Sequence, residues 1–174
     1  MSGEAQAPGA LSAPTLAGAV APSGRILQLA DGERRVRRRG NFPFIIKVDK
    51  QNGGSPELVM GYEDVPAGGT ISPHRHLSAD EIIFVHSGAG VATVGEREAP
   101  IAPGSTIYIP RNVRITLKNT GTQPMAIAFV FSKPGFEDYL RDTSVPEGQP
   151  APPLSDAELA RIRRNHTSHT VYEQ

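Results

Sequence analysis

From Phe42 to Ser132 the chain alternates short β-branched or aromatic runs with clusters of Gly, Pro and Asn. The runs are FPFIIKV (42–48), ELVMGYEDV (57–65), TISPHRH (70–76), EIIFVH (81–86), GVATVG (90–95), STIYIP (105–110), RITLKN (114–119) and PMAIAFVFS (124–132). Between them stand QNGGSP, PAGG, SGAG, APG, PRN and NTGTQP, which carry the residues that tight turns require. No stretch of this region repeats apolar residues at helical spacing. Many short strands joined by close turns predict an all-β sandwich or barrel.

The flanks differ. Residues 1–24 are rich in Ala, Pro and Gly and read as a mobile lead-in. They lack a basic start, carry Glu4 and are broken by Pro14 and Gly18, so they do not form an intact signal peptide, and a cytoplasmic location is the default. Residues 25–133 form the predicted barrel domain, and 134–174 a C-terminal extension. Within it, PGFEDYLRD predicts a short helical turn. After the Pro-rich VPEGQPAPP, Ser155 and Glu158 make a capping-box pattern that opens a helix over DAELARIRRN. A helix so short needs Leu159 and Ile162 buried against the barrel or a second subunit.

The 174 residues suit one domain with a sizeable core. Eighteen acidic and eighteen basic side chains cancel, giving no pull toward nucleic acid or an anionic membrane. No apolar run reaches the ~20 residues a membrane span needs. Cysteine is absent, which removes disulfides, thiolate metal sites and a cysteine nucleophile.

Chemistry concentrates in HRHLSADEIIFVHSG, His74 to Gly88. Alternate strand residues share a face, so His74 and His76 project together, roughly 6.6 Å apart at Cα. LSAD turns the chain, and Glu81 opens the next strand on the face of Ile83 and Val85. Two imidazoles and a carboxylate suit a divalent transition metal, Fe, Mn, Ni, Cu or Zn.

This segment resembles the first motif of the cupin superfamily, with Gly68, His74, His76, Glu81 and Gly88 at the family's spacing. PGSTIYIPRNVRITLKNTG resembles the second, through Gly104, Pro110 and Asn119. Asn112 stands where the family often has Gly, and Asn also tolerates positive φ. The resemblance covers about 42–132. It implies a small single-domain, double-stranded β-helix (jelly-roll) barrel, often a homodimer. The family expects a third histidine where this chain has Ile115. Alternation puts Ile115, Leu117 and Asn119 on one face, so an aliphatic group replaces that ligand. Ile83, Ile115, Leu117 and Tyr108 are the expected pocket residues.

The resemblance and the donor set together imply a metal-dependent enzyme acting on a small-molecule substrate, foremost an oxygenase. His74, His76 and Glu81 would leave three coordination positions open, and Glu81 would double as a proton acceptor. A metal-dependent lyase or isomerase, or a non-catalytic ligand-binding cupin, uses the same parts. The run Arg34–Arg39 reads as a solvated strand or a dimer contact rather than a nucleic-acid grip. His86 falls on the face opposite Glu81 and reads as a surface residue. His166 and His169 are candidates to replace the absent ligand from above, and Tyr62 is a candidate hydrogen-bonding group.

Overall fold

The computed structural model describes residues 24–52 and 55–173. The lead-in, apart from Gly24, and Gly53–Gly54 of the QNGGSP turn lie outside the described residues. The described chain forms a two-sheet antiparallel barrel, as the alternating sequence predicts. Its strands are β1 (Glu33–Arg37), β2 (Pro43–Val48), β3 (Val59–Val65), β4 (Thr70–His76), β5 (Glu81–Ser87) and β6 (Gly90–Val94). They continue with β7 (Arg97–Ile101), β8 (Thr106–Ile109), β9 (Arg114–Asn119) and β10 (Met125–Phe131). Helix α1 (Phe136–Asp142), β11 (Ser144–Pro146), helix α2 (Asp156–Asn165) and β12 (Thr170–Tyr172) complete it.

One sheet has the order β11-β1-β2-β3-β10-β5-β8 and the other β12-β4-β9-β6-β7. Alternation decides which side chains enter the space between them. In β3, Val59, Gly61, Glu63 and Val65 are buried while their neighbours are not. In β9, Ile115, Leu117 and Asn119 are buried. The core is aliphatic and aromatic, built on Ile46, Ile83, Ile109, Leu117, Ile127 and Phe131. Two positions show why the turns carry the residues they do. A Cβ on Gly88 would sit 2.6 Å from Met125 Cα, and its φ of 82° is left-handed. Asn112 takes φ 61°, the conformation its place in the second motif requires.

Four strands were absent from the sequence expectation. β1 is a run of arginines, and β7 contains Pro100 and charged residues on a sheet edge. β11 and β12 are three residues each, too short for a periodic signal. α2 spans the predicted ten residues with its capping box intact, and buries Leu159 and Ile162. Residues beyond 133 are woven into both sheets, because β11 pairs with β1 and β12 with β4. Among the described residues no helix is long and apolar enough to cross a membrane.

Candidate metal centre

His74 and His76 lie on the inner face of β4, and Glu81 opens β5 in the opposite sheet. Residues 77–80 therefore carry the chain from one sheet to the other, so donors close in sequence meet across the barrel. Asp80 fixes that crossing: its Oδ1 accepts from the Arg111 amide at 2.9 Å, and its own amide donates to Ser132 Oγ. Pro73 falls within a bulge in the β4–β9 ladder, between the pairs Ile71–Leu117 and His74–Ile115. A proline has no N–H for the ladder, which makes a bulge its natural place in a strand.

The two Nε2 atoms face each other at 3.0 Å, and Glu81 Oε2 stands 3.3 Å from His76 Nε2. Ligand atoms of all three residues lie within 4.8 Å of one another, and all three side chains are buried. His74 Nδ1 contacts the Ser72 carbonyl at 2.7 Å. A carbonyl only accepts, so Nδ1 carries the proton and Nε2 presents a lone pair. His76 Nδ1 meets Thr170 Oγ1 of β12 at 3.2 Å, a hydroxyl able to accept from an Nδ1–H. Burial, reinforced by the neighbouring His76, pushes the His74 imidazole down to about 3. It is thus neutral, the form that ligates, across the physiological range. Phe131 and Phe136 close on the His76 ring with centroids 4.7 and 4.6 Å away, and Tyr172 stacks on His74 at 5.3 Å.

Glu81 Oε2 is buried without a hydrogen-bond partner among the described residues. A carboxylate oxygen so placed is costly unless a cation meets it. Two inward lone pairs beside this oxygen fit a divalent transition metal, with His74, His76 and Glu81 as holders.

His74 and Glu81 border a cavity of about 230 Å³. Ile83, Ile115 and Leu117 line it as expected. Tyr108 does not, which corrects its assignment: Ile107 and Ile109 take the inward positions of β8 and leave Tyr108 59% exposed on the outer face. His86 is exposed, and Tyr62 meets it edge-on outside the barrel at 6.1 Å. The C-terminal histidines do not supply the missing ligand. His166 Nε2 is held by Asp142 Oδ2 at 2.8 Å, and His169 Nδ1 lies 3.1 Å from Ser78 Oγ.

The arginine run is neither a plain solvated strand nor a free contact surface. Arg34 pairs with Glu147, Arg38 reaches Glu158 and Arg39 pairs with Asp156, tying β1 and the turn after it to the C-terminal extension. Arg37 turns inward to line the cavity, where its Nε donates to Glu63 Oε1 at 2.6 Å and Nη2 to Oε2 at 3.1 Å. Burial opposes the charge on Arg37, but Glu63 overcomes this and holds the guanidinium above its ordinary value. Phe136, Tyr139, Leu159, Arg163 and Tyr172 close the cavity from the extension. Sequence reasoning missed these groups. One signal was available: Glu63 occupies an inward position of β3, and an acid in a core position requires a basic partner.

Comparison with known proteins agrees with this architecture. Residues 61–131 match the family model described as "Cupin domain". An uncharacterized protein of Methanocaldococcus jannaschii is 32% identical over 63 residues, which is 36% of this chain and 50% of that protein. This chain thus matches half the length of that relative. The crystal structure of a predicted oxalate decarboxylase from Thermotoga maritima is similar with a TM-score of 0.56 at 16% identity, covering 63% of this chain and all of that one. A sugar phosphate isomerase from a cupin superfamily, from Silicibacter pomeroyi, gives 0.56 at 20% identity over 64% of this chain and 77% of its own. With the HxH and Glu donors at the centre of the two-sheet barrel, residues 61–131 thus carry the match to the cupin domain, and the fold around them is similar to that of cupin-superfamily structures.

Proposed function

We propose that the chain is a metal-dependent enzyme acting on a small organic molecule, and that its reaction is an oxygenation. The observation that carries this reading is the unpartnered, buried Glu81 Oε2 beside two inward imidazoles. When bound there, a metal such as Fe supplies Lewis acidity and redox capacity. The protein's own residues set the conditions. Ser72 holds the His74 imidazole in the ligating tautomer, and the Thr170 hydroxyl orients that of His76. Ile115, wholly buried opposite His74, occupies the place of a third imidazole without offering a donor, and so supports a three-residue facial set with positions left for substrate. Phe131, Phe136 and Tyr172 keep the centre dry, which strengthens charge interactions inside it.

The test begins with the metal content of protein purified without a histidine tag. Near-stoichiometric Fe, Mn, Ni or Zn that is lost in His76→Ala supports the metal centre, and no specific metal overturns it. Oxygen uptake with candidate enols and phenols then examines the reaction. Turnover unchanged under strict anaerobiosis eliminates the oxygenase and leaves a lyase or isomerase.

A further inference from the structure

The charged groups around the cavity do not all find partners. Arg37, Arg39 and Arg163 line it, with Glu63 and Glu81. Glu63 is taken by Arg37, Arg39 pairs with Asp156 at an exposed rim, and Glu81 belongs to the donor cluster. Arg163 is left over. It pairs with no carboxylate among the described residues, and its Nε is buried without a hydrogen-bond partner. A buried, unpaired guanidinium nitrogen is expensive to retain. Its guanidinium carbon lies 4.2 Å from the centroid of the Tyr172 ring, which also stacks on His74. The unpaired guanidinium and His74 therefore share one aromatic ring. Arg37 offers a second donor, since Nη1 remains after Nε and Nη2 have been used on Glu63.

We propose that the cavity binds a small organic carboxylate, gripped by Arg163 with Arg37 Nη1 as a second donor, its apolar body against Ile115, Leu117 and Phe129. This rests on the cavity being the substrate site and names the substrate class. A guanidinium presents a planar fork matched to a carboxylate. The remaining walls are mostly aliphatic and aromatic, with Thr70, Ser72 and Thr143 as polar exceptions, which suits a largely apolar body. At ~30 Å³ for each water-sized group, the 230 Å³ cavity accommodates a ligand of roughly eight such groups.

The test uses chelator-treated, full-length protein, so that its outcome does not depend on a metal. Benzoate and its uncharged analogue benzamide are titrated by calorimetry and ligand-observed NMR. Benzoate is expected to bind at least about 10-fold more tightly than benzamide. Arg163→Met should weaken benzoate by about 5-fold or more, while Arg163→Lys retains most of the affinity. Arg164→Met, on an exposed position of the same helix, should change nothing; far-UV circular dichroism checks that all variants remain folded. Equal affinity for the two probes, benzoate binding unaffected by Arg163→Met, or no binding of either at about 20 mM would overturn the inference. Protein that holds iron but neither probe sinks this proposal alone. Benzoate binding with no specific metal sinks only the metal centre.

Discussion

Ile115 is the direct cross-strand partner of His74, and its side chain is completely buried beside the donor cluster. A residue at that position points toward the same space as the histidine. Replacing it with an imidazole should therefore add a fourth protein donor. Ile115→His is expected to raise metal affinity by at least about 10-fold, measured by competition against a chromophoric chelator. Unchanged affinity would show that position 115 does not face the ion.

The partner of His76 comes from β12. Thr170 Oγ1 orients that imidazole from 94 residues downstream. Removing such an orienting group commonly costs about 10- to 100-fold in metal affinity. Thr170→Val keeps the shape and deletes the hydroxyl, so a loss of that size with an unchanged melting temperature is expected. Wild-type affinity in this variant would mean that His76 is held by packing alone.

Glu63 is nearly fully buried against Arg37. Stripping one partner from such a pair leaves an uncompensated charge, worth about 3–5 kcal/mol, whereas replacing both with apolar groups is often neutral. Chemical denaturation should show Glu63→Met as strongly destabilised and the double variant Arg37→Met/Glu63→Met as largely recovered. Additive losses would show that the two side chains act independently.

Acid should loosen the β12 edge before the barrel. Glu173 accepts from Arg75 at 2.7 Å and from Arg114 at 2.9 Å, and the Arg75 hydrogen bond, opposed by slight burial and aided by Arg114, holds it below its ordinary 4.5. A carboxylate depressed in the folded state stabilises it fully above the unfolded value and loses that contribution as pH falls through the folded one. Hydrogen-exchange protection of residues 170–172, corrected for intrinsic rates, should fall below about pH 4.5. Glu173→Gln should start lower and lack this step. An identical titration in both proteins would assign the acid response elsewhere.

The outer face of β5 and β8 presents Ile82, Phe84 and Tyr108, with Ile82 and Tyr108 in register. We expect a homodimer to cover this patch, and Phe84→Glu to shift the mass seen by light scattering from dimer to monomer. A wild-type monomer at high concentration would refute this.

Much of the barrel was legible because alternation and turn chemistry are local. Strand parity put His74 and His76 on one shared face and Glu81 on the face of Ile83, the motif resemblance turned those faces inward, and Asn112 fell in its left-handed turn from its place in the motif. Tyr108 was misplaced because parity gives the two faces of a strand without saying which one is inward. Arg37 and Arg163 were missed for a different reason. Their role depends on the C-terminal extension folding back over the barrel, and a three-residue strand such as β12 leaves no periodic trace. The run Arg34–Arg39 carries charge that is neutralised by residues more than a hundred positions away in three of its ion pairs, a relationship no local pattern encodes.

The pairing of β12 with β4 has a consequence for biosynthesis. His74 and His76 leave the ribosome nearly a hundred residues before Thr170, and until Thr170 follows, one imidazole lacks its orienting hydroxyl and the donor cluster lacks a wall. A nascent chain can close most of both sheets and still hold metal poorly. Completion of the donor cluster is thus a late event in synthesis, and any metal held there would depend on the short strand after residue 166 as much as on the two histidines.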